Sequence, residues 1–288
     1  MSATEMPLQA FVITGASTGI GRACALELDH RGFRVFAGVR SEEAGRKLQD
    51  QASPRLTPVQ IDVTEVEQIA TAAQTVAEAV GDAGIAGLVN NAGIAVPGPM
   101  ELVPIEALRR QFEVNVIGQV AVAQAFLPLL RKARGRVVNI SSINGGLALP
   151  YLGAYSASKF ALEAITDVLR VELRTSGISV SAVEPGPIDT PIWDKSIATS
   201  DQLVKEVASE SLSLYEADVE VMRRVTDQFI RMASPVDRVV RAVVHALTSK
   251  RPKTRYYLGW NVRVCFKCLK MLPDRVHDWM IRKLVGWS

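Results

Sequence analysis

Three side chains with types and spacing suited to proton transfer stand near the middle of the chain. Tyr155 and Lys159 are four residues apart, and Ser142 lies thirteen residues before Tyr155. Residues four apart share one face of a helix, so the Lys159 ammonium group can sit beside the Tyr155 phenol. A free tyrosine has a pKa of about 10, and a nearby cation favours the phenolate. The spacing therefore predicts a tyrosine that exchanges protons near neutral pH, assisted by a serine hydroxyl.

A glycine-rich turn near the N-terminus is suited to phosphate binding. Gly15, Gly19 and Gly21 follow a predicted strand and open a predicted helix, where backbone N–H groups can approach a pyrophosphate. The spacing is Gly-x3-Gly-x-Gly, not the usual Gly-x-Gly-x2-Gly, so the turn alone is weak evidence. Polar or small residues also end the third and fourth predicted strands, at positions 62–63 and 90–93. Open parallel sheets bind ligands at that edge.

Short apolar runs alternate with segments of helical length, which predicts a three-layer α/β fold. The expected architecture is a Rossmann-like, doubly wound parallel sheet covered by helices on both faces. No linker or repeat divides the chain, so we expect one domain over residues 1–288, with a cofactor-binding and catalytic core at 8–190. Residues 187–233 are too long for an ordinary connection and predict a helical substrate lid. Predicted strands fall at residues 11–13, 34–37, 58–61, 87–89, 136–140 and 178–183.

A capped helix is predicted directly after the lid. Ser234 would be the N-cap, Pro235 would occupy the first turn, and Asp237 follows three residues after the serine. The helix should end near Lys250, before Pro252.

Together these motifs resemble the short-chain dehydrogenase/reductase family from about Ala10 to Thr190. The resemblance implies an oxidoreductase that moves a hydride between a nicotinamide and a substrate carbon while Tyr155 transfers the proton. The family's catalytic tetrad maps onto Asn115, Ser142, Tyr155 and Lys159. Ser142 would hydrogen-bond the substrate oxygen, Lys159 would lower the Tyr155 pKa and hold the nicotinamide ribose, and Asn115 would place a relay water. Ser141 could replace Ser142, and Asn115 could instead satisfy a helix bend.

The same resemblance implies a cofactor site along the strand ends. The glycines would line the phosphates, Asp62 would bind the adenine, Asn91 to Gly93 would contact the adenosine ribose, and the segment around Thr190 would hold the carboxamide. The full set of expected cofactor contacts is Gly15, Ser17, Gly19, Ile20, Gly21, Arg40, Asp62, Val63, Asn91, Ala92, Gly93, Tyr155, Lys159, Pro185, Gly186, Ile188 and Thr190.

Arg40 favours NADP(H) over NAD(H). A carboxylate at the end of the second strand would bind the ribose 2′-hydroxyl, whereas an arginine would bind a 2′-phosphate. The strand ends with Val39 and Arg40, and no acid occurs before Glu42. Arg22 could assist, but Ser17 and Thr18 occupy the place of the family's other basic marker. NAD(H) remains an alternative, as does an exposed Arg40 without a ligand role.

Composition indicates a cytoplasmic protein with no nucleic-acid partner and no metal site. No apolar run approaches 18 residues, and the N-terminus lacks a secretory pattern. Three separated cysteines suit a reducing compartment, and the pair Cys265 and Cys268 has no second pair to complete a zinc site. The net charge of +3 combines +8 in residues 249–288 with −5 elsewhere.

The C-terminal extension, residues 256–288, is basic and holds three of the four tryptophans, Trp260, Trp279 and Trp287. Two amphipathic helices are predicted, over 263–272 and 275–285, divided at Pro273. Such helices can lie on an anionic membrane surface, but packing on the protein itself or on a second subunit is the more common outcome. Family members commonly pair through the helices that hold Asn115 and Tyr155, so a homodimer or homotetramer is expected.

The long lid and the tail are similar to the steroid and retinol dehydrogenase branch of the family. That likeness implies a bulky hydrophobic alcohol or ketone, such as a steroid, retinoid or lipid. The expected substrate contacts are Ser142, Leu147, Leu149, Tyr151, Tyr155 and Trp193; the apolar ones could equally be packing residues.

Two rival functions stay open. A reductase of acyl-thioester ketones would need cations at the pocket mouth, which Arg109, Arg110, Arg131 and Lys132 could supply. A nucleotide-binding sensor or scaffold would not need the tetrad.

Overall fold

A seven-stranded parallel sheet forms the centre of the molecule. The computed structural model describes residues 8–206, 213–258 and 272–285. The strand order is β3-β2-β1-β4-β5-β6-β7, with every neighbouring pair parallel. The strands are β1 (Ala10–Ile13), β2 (Arg34–Val39), β3 (Leu56–Gln60), β4 (Gly87–Asn90), β5 (Arg136–Ile140), β6 (Ser179–Pro185) and β7 (Arg255–Leu258). The sequence predicted the first six; β7 adds an edge strand that it did not predict.

Helices cover both faces of the sheet, as the apolar strands require. All four residues of β1 are buried, because a strand covered on both faces has no solvent side. The helices are α1 (Gly19–His30), α2 (Glu42–Gln49), α3 (Val66–Val80), α4 (Ile105–Phe112), α5 (Gly118–Ala133), α6 (Gly153–Glu172), α7 (Ile192–Glu206), α8 (Glu216–Arg231), α9 (Asp237–Thr248) and α10 (Asp274–Val285).

Two large apolar clusters make up most of the core, one on each face of the sheet. Cys24 and Leu28 of α1 pack with Val243 of α9 on one side. Val76 of α3 and Phe126 of α5 pack on the other. The three-layer, doubly wound prediction is therefore confirmed.

The segment predicted as a lid is helical where it is described. Helices α7 and α8 account for most of it, and residues 207–212 lie outside the described part. Its first turn is tied to the sheet edge, since the Trp193 indole donates to the Ile188 carbonyl at 2.8 Å.

The predicted serine cap after the lid is wrong. Helix α9 begins at Asp237, its N-cap residue is Val236, and no side chain caps it. The Ser234 backbone instead donates to Pro187 O at 2.9 Å and accepts from Asp189 N at 3.1 Å. Ser234 therefore joins the end of the lid to its beginning, and its hydroxyl accepts from the Arg238 side chain at 3.5 Å. The helix ends at Thr248, close to the predicted end at Lys250.

The described part of the C-terminal extension packs on the protein itself. Helix α10 matches the second predicted tail helix, and its Ile281 is buried with Leu147 and Leu149, beside Phe229 of α8. Trp279 on the same helix is 60% exposed. The first predicted tail helix, apart from Leu272, lies outside the described residues, as do Trp260, Trp287 and both tail cysteines.

One stretch among the described residues is long and apolar enough to cross a membrane, Ile105–Ala133, with a mean hydropathy of 1.4 over its most apolar window. Half of that window is buried inside the protein. It comprises α4, a π-helical turn and α5, and it supplies Phe126 to the core, so it is accounted for as a core helix.

Candidate active site

Ser142, Tyr155 and Lys159 converge at the carboxyl end of β5. Ser142 directly follows this strand and caps a short 3-10 turn, with its hydroxyl accepting from Asn144 N at 3.1 Å. Tyr155 lies in the first turn of α6, where its phenol interacts with the Ser142 side chain. The Lys159 ammonium nitrogen lies 5.7 Å from the centroid of the Tyr155 ring. Spacing along one helix thus brings both side chains to the serine.

Burial is the largest influence on both titratable groups. It lowers the pKa of Lys159 to about 8, while the negative charge of Glu163 acts in the opposite direction. Burial raises the pKa of Tyr155, and its interaction with the Ser142 side chain lowers it. The expected lowering of the Tyr155 pKa by Lys159 does not appear among these influences. The Lys159 ammonium group instead donates to the Ile140 carbonyl at 2.8 Å.

Asn115 lies beside this group, in the π-helical turn at 113–117. Its side-chain oxygen accepts from Ile94 N at 2.9 Å, and its amide donates to Ile94 O at 2.9 Å and Ser158 Oγ at 3.1 Å. A Cβ atom built on Gly93 would lie 3.4 Å from Asn115 Oδ1 and 3.9 Å from Lys159 Nζ. Asn115 therefore joins the strand-end loop to α6; its relay role stays a prediction.

The glycine-rich turn packs directly against the loop that follows β4. Gly15 has φ +64°, and a Cβ there would lie 2.9 Å from Ala92 Cα. A Cβ on Gly21 would lie 2.4 Å from both Asn91 Nδ2 and Gly15 O. Thr14 Oγ1 accepts from Asn91 N and Ala92 N at 3.0 Å each. A side chain at Gly15 or Gly21 would therefore clash with this packing.

One cavity of about 1030 Å³ runs along these strand ends. Nineteen of the predicted site residues line it: Gly15, Ser17, Gly19, Ile20, Arg40, Asp62, Val63, Asn91, Ala92, Gly93, Ser142, Leu149, Tyr155, Lys159, Pro185, Gly186, Ile188, Thr190 and Trp193. The cavity therefore joins the predicted phosphate turn to the predicted catalytic group.

Four predicted site residues do not line the cavity. Gly21 and Asn115 support its wall through the contacts above. Leu147 faces Ile281 in the cluster under α10. Tyr151 has φ +63°, an unusual value for a residue with a side chain, and its ring meets Tyr215 edge-on at 6.4 Å. Its hydroxyl is hydrogen-bonded to Asp218 of α8, so Tyr151 holds the lid and does not face the cavity.

The cavity also has lining residues that the sequence reasoning missed. Lys195 of α7 reaches back to the glycine-rich turn, where its ammonium group donates to Thr18 Oγ1 at 3.5 Å. Phe229 of α8 enters from the far end of the lid. Helical periodicity places Lys195 and Phe229 in the lid, but no local sequence pattern indicates that their side chains line the cavity. The missed residues include Thr18, Ile143, Asn144, Leu152, Lys195 and Phe229.

The predicted cations are divided between the cavity and other partners. Arg40 follows β2 and lines the cavity with its side chain exposed. Arg22 is not among the lining residues and donates to Gln51. Arg109 and Arg110 line the cavity, with Arg109 paired to Glu106. Lys132 pairs with Asp82 at 3.0 Å, and neither it nor Arg131 lines the cavity.

Asp62 follows β3 by two residues, and its predicted contact with adenine stays a prediction. Its Oδ1 accepts from Thr64 N at 3.1 Å and from Thr64 Oγ1 at 2.8 Å. Asp62 also lines the cavity.

Comparison with known proteins agrees with this geometry. The family model for short chain dehydrogenase matches residues 9–201. The chain is 40% identical over 280 residues to 17-beta-hydroxysteroid dehydrogenase type 6 of Bos taurus, covering 94% of this chain and 87% of that one. It is 37% identical over 281 residues to retinol dehydrogenase 16 of Mus musculus, covering 96% and 87%. A short chain dehydrogenase from Burkholderia cenocepacia, solved with NADP, superposes with a TM-score of 0.72 at 30% identity, covering 94% and 96%.

The chain therefore belongs to the short-chain dehydrogenase family, and it is similar to members of the hydroxysteroid and retinol dehydrogenase branch. It is an NAD(P)-dependent oxidoreductase. The site fits such a cofactor on its own evidence: the turn has no room for a Cβ at Gly15 or Gly21, and it opens into a cavity that reaches Tyr155.

Proposed function

We propose that this protein interconverts a carbonyl and a secondary alcohol on a bulky hydrophobic substrate, using NADP(H), with Tyr155 as the general acid and base. The observation that carries the proposal is the convergence of the Tyr155 and Ser142 side chains at the carboxyl end of β5. The pair faces the same cavity as the glycine-rich turn. The proposed proton donor and the proposed phosphate-binding turn therefore line one cavity.

Each of the three polar side chains, Tyr155, Ser142 and Lys159, has a defined role. Tyr155 donates a proton to the substrate oxygen in reduction and removes it in oxidation. Ser142 donates a hydrogen bond to that oxygen and stabilises the negative charge that develops on it. Lys159 adds positive charge beside the phenol, which favours the phenolate. The nicotinamide, when bound, supplies or accepts the hydride.

The preference for NADP(H) rests on Arg40. Its guanidinium is the charged group at the end of β2, where a 2′-phosphate would be recognised, and no carboxylate precedes Glu42 to repel one. An Arg40→Asp variant should change the ratio of NADPH to NADH affinity by about tenfold or more toward NADH. NADH binding as tightly as NADPH in the wild type would contradict the preference.

A hydrophobic substrate is supported by the apolar end of the cavity. Leu149, Leu152, Trp193 and Phe229 surround the space beside Tyr155, and burial of large apolar surface favours a lipid-like ligand. The relatives named for hydroxysteroids and retinol agree with this class.

The direct test follows NADPH and NADH absorbance with purified protein and a panel of carbonyl compounds. The panel contains a 3-ketosteroid, all-trans-retinal, decanal and acetoacetyl-CoA, with Tyr155→Phe as the blank. We expect Tyr155-dependent turnover of the steroid or the retinal, faster with NADPH. Turnover that survives in Tyr155→Phe would refute the catalytic assignment.

The acyl-thioester rival has one observation in its favour, since Arg110 lines the cavity. Acetoacetyl-CoA turnover above that of the steroid and retinal would select it. Tight nucleotide binding with no turnover of the whole panel would favour the sensor or scaffold reading.

We also propose that the protein forms a homodimer or homotetramer through α5 and α6. Ile117 is 53% exposed, and Val168 and Val171 on α6 are 53% and 65% exposed. Burying such residues in a second copy would remove apolar surface from water. Sedimentation should give an oligomer for the wild type and a smaller mass for Val168→Glu; a monomeric wild type would contradict this.

We also propose that the protein is cytoplasmic and contacts membranes peripherally through its C-terminal tail. The packing of Ile281 leaves Trp279 facing outward on α10, and aromatic side chains favour the membrane interface. The protein should sediment with vesicles containing anionic lipid, and Trp279→Ala should weaken this binding. Equal sedimentation of the wild type and Trp279→Ala would show that Trp279 does not contribute to membrane binding.

A further inference from the structure

A partly buried ion cluster lies behind the catalytic group, centred on Arg255 of β7. Arg255 Nε and Nη2 contact Glu163 Oε2 at 3.0 and 2.9 Å. Nη2 also lies 2.9 Å from Asp167 Oδ2, and Nε lies 3.3 Å from Glu184 Oε1. Arg170 pairs with Asp167 at 2.9 Å. Three carboxylates thus face two guanidinium groups, which leaves the cluster with a net negative charge.

Glu163 is the member of this cluster that lies one helical turn from the catalytic lysine. It follows Lys159 by four residues on α6, so the two side chains share a face of the helix. Its side chain is 12% exposed. Its Cγ would lie 2.8 Å from a Cβ at Gly145, in the turn capped by Ser142. Glu163 therefore fills the space beneath the catalytic loop.

Only one of the two Glu163 oxygens is engaged by Arg255. Oε2 takes both guanidinium contacts, whereas Oε1 is buried and accepts no hydrogen bond within the part of the chain described. A buried carboxylate oxygen without a donor is costly. Such a cost is commonly retained where the charge has a functional effect on a neighbour.

Lys159 needs such a neighbour to remain charged. Burial favours its neutral amine, and Glu163 is the charge that opposes this. A neutral amine could not favour the Tyr155 phenolate. Tyr155 and Glu163 on α6 are the titratable side chains that act with Lys159. Of the other charged groups, Glu113 in the π-helical turn lines the same cavity, and Glu184 on β6 and Arg255 on β7 belong to the Glu163 cluster.

We propose that Glu163, oriented by Arg255, is a positioning residue that keeps Lys159 protonated in the active site. The last strand of the sheet thereby contributes to catalysis without touching the substrate. This inference rests on the proposed role of Lys159 beside Tyr155.

The test measures the protonation of Lys159 directly. Full-length protein is labelled competitively with acetic anhydride at pH values from about 6 to about 11, and the extent of acetylation at Lys159 is read by peptide mass spectrometry. Lys159 lines the cavity, so a small reagent reaches it. The variants are Glu163→Gln, which keeps the shape of the side chain, and Asp167→Asn, which removes a carboxylate from the same arginine one turn further away.

The labelling midpoint of Lys159 should fall by about one pH unit in Glu163→Gln, as expected for the loss of one charge at this range. It should stay within about 0.2 units in Asp167→Asn and in Arg255→Lys, which keeps the cation. An unchanged midpoint in Glu163→Gln, or an equal fall in Asp167→Asn, would overturn the inference. Because labelling needs no turnover, this failure is distinct from that of the proposed function, which would appear as full activity in Tyr155→Phe.

Discussion

Replacing Lys195 by methionine should weaken the binding of NADPH and NADH to a similar extent. The lysine comes from the lid helix α7, yet its ammonium group lies 3.5 Å from Thr18 Oγ1 in the glycine-rich turn. Thr190, at the start of the lid, lies 3.3 Å from the position of a Cβ on Gly19. The first turn of the lid therefore lies over the expected phosphate position, and both cofactors carry a pyrophosphate.

The expected effect is modest because Lys195 is exposed. A phosphate held by the backbone of the turn would lie about 5 Å from the ammonium group, where an effective dielectric constant of about 20 would give about 3 kcal/mol. Solvent screening of an exposed pair reduces this to about 1 kcal/mol. That value corresponds to an increase of about fivefold in Kd.

The assay is a titration of NADPH and NADH against protein fluorescence at low ionic strength. Lys250→Met serves as the control, because it removes the same charge from a residue that does not line the cavity. Arg40→Ala provides the contrast, since it should raise the Kd of NADPH alone. The reasoning fails if Lys195→Met leaves both constants unchanged, or if it affects only NADPH, which would place the ammonium group at the 2′-phosphate.

Three further predictions concern stability and fit. Burial lowers the pKa of Lys159 to about 8 in the folded protein, against the ordinary 10.5. The cost of burying the charged ammonium group therefore disappears as the pH rises between these values. The unfolding free energy of the wild type relative to Lys159→Met should rise by about 3 kcal/mol over that range, as measured by urea unfolding. Gly21→Ala should cost about 2 kcal/mol of stability and weaken NADPH binding, because its Cβ would lie 2.4 Å from Gly15 O; thermal unfolding and titration measure both. Ile281→Ala should destabilise the protein by about 2 kcal/mol and raise the KM for the hydrophobic substrate with little change in NADPH affinity, since it removes support beneath Leu149.

Each of these has a matched comparison. A flat difference across the pH range would show that Lys159 is solvated in the folded protein. Gly32→Ala, where φ is +87° and nothing lies within 4 Å, should lose stability without losing nucleotide affinity. Met280→Ala, on the same helix as Ile281 but 36% exposed, should leave KM unchanged; an equal rise in both variants would mean that α10 acts as a whole.

Local patterns predicted the elements of the site whose geometry is set within one helix or one strand end. Tyr155 and Lys159 share a face because of the helical repeat. The glycine-rich turn meets the loop after β4 because parallel strands end at one edge of the sheet. Apolar strands implied cover on both faces. Short-range geometry and the hydrophobic effect determine these features. The family resemblance supplied the expected roles of the site residues.

Tertiary structure decided what depends on competition between distant partners. Lys195 reaches a residue 177 positions earlier in the chain. Leu147 and Leu149 both pack in the cluster of Ile281, but only Leu149 also lines the cavity. Ser234 carries the signature of a cap, but its backbone pairs with the start of the lid. The Arg255 cluster joins three elements through charges that are scattered in the sequence. A sequence specifies which groups each residue offers, whereas the packed fold selects the partner, because burial makes every unpaired polar group costly.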